Sequence, residues 1–357
     1  MNNPKYNVFK EIFMDKTRNQ IYEEFYRLCA QLQKDEPWRA FDDGQLIGLK
    51  RNSDQTVYVN TLGNGGETYG LVFYEGDEGL NDYNLVRTHL DLNVPDIYAL
   101  FRQNCFCIYF GEDEEIPDEQ YDAYADVQPD FEDSQYGIPY ILSIKKGYFP
   151  WTPRDAEIAQ VNMYLSWYLE VFPFVTKLYD WGTGIERGHC LCEYDERDMR
   201  WDYSYPPLPS EDYRLDITAP AEAEVREAVR NARRTNSVYE ADFFFPNIHI
   251  DDPQFYRPAA ALFIVILDHD SGVILEQELL KPQQDVSLMM NEILLRAVDR
   301  NGIPSRILVR SVLFADMIEL SAKIMGSKVQ ECETLKASDE AAEMMADMMP
   351  LDNDMFS

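Results

Sequence analysis

Positive charge is scarce in this chain: 32 Lys and Arg stand against 64 Asp and Glu among 357 residues, a formal net charge of -32 at pH 7. Such an excess repels phosphate backbones within roughly a Debye length, about 8 Å at physiological salt. Non-specific nucleic-acid binding by the whole surface is therefore not expected. A solubility surface, a local basic groove and an acidic imitation of DNA that occupies a DNA-binding partner all stay compatible with the charge. No apolar run approaches the roughly 18 to 20 residues of a membrane span, and no charged and apolar signal segment is readable from Met1 to Pro37. The expectation is a cytoplasmic protein that contacts no membrane. Six cysteines in so long a chain are no disulfide framework, and in that compartment they would be reduced.

Several motifs are missing as well. The stretch Gly63 to Gly70 lacks the Gly-Lys-Ser/Thr ending of a phosphate loop and lies between two strand-like runs, so it reads as a hairpin turn, with Glu67 and Tyr69 beside it. No Ser or Cys stands in a nucleophile-elbow pattern. The four histidines, His89, His189, His249 and His269, show no metalloprotease spacing.

What is present is enough to fold: 45% hydrophobic and 13% aromatic residues supply apolar surface to offset chain entropy. At this length two domains are the natural expectation. Ile21, Phe25, Leu28 and Leu32 recur at helical spacing, and Pro37 closes that helix. An antiparallel meander follows at Gln45 to Lys50, Thr56 to Thr61 and Tyr69 to Tyr74, with a turn at Asn52-Ser53-Asp54. Next come helices near Glu78 to His89 and from Val94, a strand at Cys105 to Phe110, an acidic helix and loop from Glu112 to Asp133, and a strand at Tyr140 to Lys145. A long helix is expected behind Thr152 as N-cap and Pro153 as first residue, running towards Val171. Tyr205 to Ser210 is loop, and Pro220 to Arg234 is a charged helix.

The C-terminal part reads β-β-β-α-β-α-β: Tyr239 to Phe245, Ala261 to Leu267, a turn Asp268-His269-Asp270-Ser271-Gly272, and Val273 to Leu280. A helix capped by Asp285 or Ser287 and ended by Asn301-Gly302 comes next, then Ile307 to Val309, Phe314 to Met325 closed by Gly326, and Lys328 to Cys332. The domains are thus 1-215, an α+β domain; 216-237, a helical linker; 238-340, an α/β domain with a mixed sheet; and 341-357, an acidic Met-rich tail expected to end in disorder.

That order, with Glu240-Ala241-Asp242-Phe243-Phe244, Leu267-Asp268-His269-Asp270-Ser271-Gly272 and Gly302-Ile303-Pro304-Ser305-Arg306-Ile307-Leu308-Val309, resembles the ribonuclease-H-like fold and the core of retroviral-type integrases and transposases. The whole chain resembles a two-domain bacterial family whose domains have no assigned reaction, through Leu62-Gly63-Asn64-Gly65-Gly66-Glu67-Thr68-Tyr69-Gly70-Leu71 and Gly147-Tyr148-Phe149-Pro150-Trp151. The resemblance implies a first metal-binding carboxylate at Asp242 and a second directly after Val309. That second position is Arg310, which cannot ligate a cation. A third carboxylate has three candidates, Glu333, Asp339 and Glu340.

The expected function is a non-enzymatic binding or adaptor protein with a degenerate ribonuclease-H-like domain, no cofactor and a protein partner. Two alternatives stay open: a divergent nuclease using magnesium or manganese at Asp242 with Asp268 or Asp270, and an acidic nucleic-acid mimic. Arg310, and Tyr148 with Trp151 near Lys145, Lys146 and Arg154, are candidate binding residues, the latter group because aromatics and cations interleave there. Cys105, Cys107, His189, Cys190 and Cys192 are the residue types of a zinc site, set against the reading of buried cysteines as small hydrophobes.

Overall fold

The computed structural model describes residues 16–51, 55–129, 131, 134–180, 189–246, 248–250 and 252–348. The turn expected at Asn52-Ser53-Asp54 and the end of the tail, 349–357, lie outside the described residues.

Helix α1 (Arg18–Asp35) buries Ile21, Phe25, Leu28 and Leu32 along one face. A capping box between Thr17 and Gln20 starts it, and Glu36 in the left-handed conformation ends it before Pro37. Strands β1 (Leu46–Lys50), β2 (Val57–Leu62) and β3 (Tyr69–Glu75) form the antiparallel meander. Between the last two, Gly66 N–H donates to the Gly63 carbonyl, and both glycines hold the positive φ that the turn requires. Helices α2 (Gly76–Thr88) and α3 (Asp96–Phe101) lead into β4 (Cys105–Gly111), α4 (Asp118–Val127) and β5 (Ile138–Ile144).

The long helix α5 (Asp155–Asp180) departs from expectation at both ends. Thr152 does not cap it: its hydroxyl accepts from Gln120, and the Glu157 carboxylate instead takes the Arg154 N–H at 3.0 Å. The helix also continues through Pro173, well past Val171. Two strands with no sequence signal complete the sheet. β6 (Cys190–Asp195) runs parallel to β1, and β7 (Arg200–Ser204) pairs with it on the edge, giving the order β5-β4-β3-β2-β1-β6-β7. One face of this sheet packs with α1 and α5 around Leu49, Val59, Phe73 and Leu165. The other carries Tyr58, Val72, Tyr74 and Leu80.

After α6 (Glu222–Val229) comes the second sheet: β8 (Val238–Phe244), the short pair β9 (His249–Ile250) and β10 (Ala259–Ala260), then β11 (Leu262–Asp268) and β12 (Ile274–Leu280). Helix α7 (Val286–Asn301), capped by Asp285, precedes β13 (Arg306–Val309). Helix α8 (Val312–Met325), capped by Ser311, precedes β14 (Lys328–Glu331), and α9 (Lys336–Met348) extends into the first part of the Met-rich tail. Strands β8, β11 and β12 are antiparallel, while β13 lies parallel to β8 and β14 parallel to β13. The order β12-β11-β8-β13-β14 is the ribonuclease-H-like arrangement, a hairpin-linked trio followed by two helix-connected parallel strands on the far side of the first.

Successive residues of β8 face opposite sides of the sheet. Tyr239, Ala241 and Phe243 enter the core beneath α7 and α8. Val238 and Phe244 face the other way, against Leu335, Ala337 and Ala341 at the start of α9, and Glu240 and Asp242 share that side.

The second core is not made by the C-terminal half alone. Leu85 of α2, Val94, and Tyr98 and Ala99 of α3 belong to it, and the Tyr98 ring lies 5.8 Å from those of both Phe243 and Phe314. Tyr98→Ala should therefore lower stability by about 3–5 kcal/mol, the usual range for a deleted core aromatic. The loss should appear as faster amide exchange in β8 and β13, and unchanged protection there would show that α3 is only attached to that core.

Candidate functional site

The parallel ladder sets Val309 beside Ala241, so the next residue of the chain, Arg310, comes level with Asp242. Arg310 donates to Asp242 Oδ2 from Nε at 3.2 Å and from an Nη at 2.7 Å, and the same Nη reaches Asp339 Oδ1 at 2.7 Å. Ser338 of α9 adds its hydroxyl to Asp242 Oδ2 at 2.7 Å. Its backbone N–H donates to Glu240 Oε2 at 2.8 Å, and Glu240 Oε1 lies 2.5 Å from His269 Nδ1 in the β11–β12 turn. The cluster is thus Glu240, Asp242, His269, Arg310, Ser338 and Asp339. Two carboxylates at the first turn of α9 also suit the positive end of its dipole.

Glu240 and Asp242 are buried, whereas the Asp339 side chain is 45% exposed. Burial pushes the Asp242 carboxyl above its ordinary value, against the opposite pull of Arg310. At Arg310 burial acts downward, and the bonds from Asp242 and Asp339 outweigh it and hold the guanidinium up. The two directions differ in emphasis, and the geometry decides between them. A guanidinium stays protonated in proteins, and three donors converge on Asp242 Oδ2, so at neutral pH the pair is ionic. The Arg310–Asp339 contact is open to water and worth roughly 0–1 kcal/mol.

A two-cation centre needs several charged oxygens free to converge on the ions. Here the guanidinium stands between Asp242 and Asp339, and Glu240 is taken by Ser338 and His269. Among the described residues no group of three or more His, Cys, Asp or Glu side chains is placed to hold a metal ion. The residues present do not fit the group. Asp268 and Asp270 do not join Asp242 either. The β8–β11 register puts Asp268 opposite Tyr239 and Asp242 opposite Val265, roughly 10 Å apart along the strand. Asp268 Oδ1 instead accepts from the Ser271 N–H and hydroxyl, and Asp270 is exposed.

The zinc-type residues are not brought together. Cys105 and Cys107 lie in β4 on one face of the first sheet, Cys190 and Cys192 in β6 on the opposite face, with three strands between. His189 is buried beside Tyr58, on the far side from Cys190. The neighbouring thiol and burial push Cys105 and Cys192 up, which leaves protonated, inert thiols. The basic and aromatic residues near Trp151 also divide. Tyr148 is buried and bonded to Gln283, Lys146 pairs with the buried Asp82 at 2.9 Å, and Lys145 lies over the Phe106 ring. Trp151 and Arg154 line a separate cleft.

Glu240, His269 and Ser338 carry part of the cluster and were not selected by motif. Glu240 had a signal, since it is two residues before Asp242 and so shares its face. Ser338 had none, because no motif singles out a serine at the end of that domain.

Strand order and direction define a ribonuclease-H-like domain joined to an α+β domain. Residues 22–192 match the family model described as Domain of unknown function (DUF7309), and residues 225–346 that described as Domain of unknown function (DUF6930). The chain is a two-domain protein, with one match in each half. No curated protein matches it. Among solved structures, the HTLV-2 integrase catalytic core domain in complex with magnesium is 14% identical over 35% of this chain and 82% of its own in the trimeric form, at a TM-score of 0.23. The dimeric form gives 14%, 35%, 83% and 0.23. The simian T-cell lymphotropic virus intasome in complex with PP2A regulatory subunit B56 gamma is 15% identical over 35% of this chain and 48% of its own, at 0.24. Likeness at that level carries no weight, and the fold assignment rests on strand order and direction.

Two measurements follow from the geometry. Arg310→Met should cost about 3–5 kcal/mol by leaving Asp242 charged and buried, and Asp242→Leu in the same chain should recover most of that loss; additive losses in the double-mutant cycle would show that the pair is uncoupled. Burial holds the His189 imidazole below its ordinary value. The unfolded chain then binds the extra proton first, so stability should fall as pH drops below about 6.5 and through the folded value. His189→Phe should flatten that part of the pH–stability curve, and an unchanged slope would assign it to other groups.

Proposed function

We propose that the protein is a non-enzymatic binding or adaptor protein in which the ribonuclease-H-like domain serves as an interaction platform for a protein partner. One observation carries this reading: Arg310, fixed between Asp242 and Asp339, supplies the positive charge that a divalent cation would otherwise bring to those carboxylates. A cation approaching Asp242 would meet that fixed charge and would have to displace bonds at 2.7 Å from both Arg310 and Ser338. Helix α9, pinned through Ser338, covers the same side of β8. The net charge of -32 adds to the argument, since it favours a basic protein surface over a nucleic acid as the partner.

The test is direct. The unmutated chain, incubated with single- and double-stranded DNA and RNA and magnesium or manganese, should cleave no faster than its Asp242→Asn variant; cleavage that Asp242→Asn abolishes would overturn the reading. Arg310→Asp supplies the second measurement. It sets a new carboxylate against Asp242 and Asp339, so the melting temperature should fall without divalent ions and recover in part when magnesium or manganese is added. A variant that melts like the unmutated chain and ignores both ions would remove Arg310 from the centre of the argument.

A further inference from the structure

Where the two halves of the chain meet there is a cleft of about 550 Å³, within the size range of small-molecule sites, which favour domain junctions. It is lined by Arg18 of α1, by Trp151, Arg154 and Asp155 at the entry to α5, and by Tyr256 and Arg257 of the segment before β10. In a chain with twice as many acidic as basic residues, three guanidiniums thus border one cavity.

Arg257 is the residue that needs explanation. It is 4% exposed, and among the described residues the carboxylate that acts on it, Glu157, is not in salt-bridge contact with it but is bonded to Arg154. Two of its nitrogens donate to the Ser143 carbonyl and hydroxyl, at 2.8 and 3.3 Å, while Nε has no partner. Burial pulls its pKa below the ordinary value. A buried cation without a carboxylate in direct contact is costly, and an anion bound beside it lowers that cost. Arg18 is likewise without an ion pair among the described residues: it donates to the Glu119 carbonyl at 3.1 Å and interacts with the Tyr22 side chain. Arg154, by contrast, is neutralised by Glu157 at 3.3 Å.

Two further features point to the same ligand chemistry. The first helical bonds of the 26-residue α5 are those from Glu157 and Ile158 to the Arg154 carbonyl, so the N–H groups of Asp155 and Ala156 precede them, at the positive end of a long helix. Two of the three aromatic side chains of the cleft are also left open: Trp151 is 39% exposed and Tyr256 61%, with the Arg257 guanidinium 4.7 Å from the Tyr256 ring centre, while Tyr22 is buried. Exposed rings next to guanidiniums offer a planar group a stacking surface and its charge a partner. Glu119 and Asp155, on the same lining, oppose a bare anion but accept hydrogen bonds from hydroxyl and amino groups.

We propose that this cleft binds a nucleotide: the base stacks on Trp151 and Tyr256, the phosphate lies against Arg257, Arg18 and the start of α5, and Glu119 and Asp155 accept from ribose hydroxyls or base amino groups. The site is independent of the Arg310 cluster, so either reading stands without the other.

Titration calorimetry of the full chain with AMP, GMP, adenosine and inorganic phosphate tests the proposal. Saturable binding of a nucleotide is expected, weakened at least about tenfold, or about 1.4 kcal/mol, when the phosphate or the base is missing. Trp151→Ala and Arg18→Ala, both near the surface, should each weaken it by a similar factor with the circular dichroism spectrum unchanged. Arg257→Met should do so too, but it also cuts the tie to Ser143, so the two surface variants decide the outcome if it fails to fold. A 5′-phosphorylated oligonucleotide distinguishes the sources, since tighter binding than AMP marks a strand end and equal or weaker binding a free nucleotide. The proposal fails if no nucleotide binds at millimolar concentration, if both surface variants bind like the unmutated chain, or if phosphate alone binds as tightly as AMP.

Discussion

Arg310 joins parts of the second domain that are distant in sequence. It leaves the end of β13, ties to Asp242 in the middle of β8, and reaches Asp339 on α9, so one guanidinium connects two adjacent strands to the helix laid over them. Its backbone is also held from the first half of the chain, because Asn93 donates to the Arg310 carbonyl at 2.6 Å, while the Ser311 hydroxyl donates to the Leu92 carbonyl. Charge compensation at Asp242 therefore helps to fix where α9 lies and how the two halves meet. A hydrophobic contact would tolerate sliding, but a buried carboxylate with three donors on one oxygen holds a single register.

Much of this was legible from residue patterns, and the exceptions have physical causes. The β-β-β-α-β-α-β order was readable because its elements have clear boundaries: Asp285 as a cap, Gly302 and Gly326 as stops, and apolar runs in between. That Arg310 and Asp242 share a site was implied by the resemblance to the ribonuclease-H-like fold, and the β8–β13 register sets them level. β6 and β7 gave little signal, since Arg200–Ser204 is an edge strand of mostly exposed polar residues whose pairing is set by its neighbour. The start of α5 was misplaced because two residues, Thr152 and Glu157, offered capping chemistry, and only tertiary contact with Gln120 decided which was used.

The cysteine pairs make the same point from the other side. Spacing of one residue puts two thiols on one face of a strand, which is equally good for a metal ligand pair and for a packed core. Whether the pairs of β4 and β6 meet is a question of sheet topology, and the sheet sets them on opposite faces. His189, on the face away from Cys190, follows from the same alternation. The buried guanidinium of Arg257 was invisible for a related reason, since its surroundings come from β5 and the loop before β10, far apart in the chain.

The sharing of the second core by α2 and α3 also bears on how the chain is made. Tyr98 leaves the ribosome long before Phe243 and Phe314, with which it packs, and Leu85 long before most of the core that it joins. Contacts so far apart in sequence carry a large loop-closure cost and form late. The N-terminal sheet can assemble on its own strands, but during synthesis one helical segment at its side must stay uncovered, with apolar residues facing water. Such a waiting surface invites wrong partners, and the chain's high negative charge, by keeping copies apart, offsets that hazard until the last helix closes over β8.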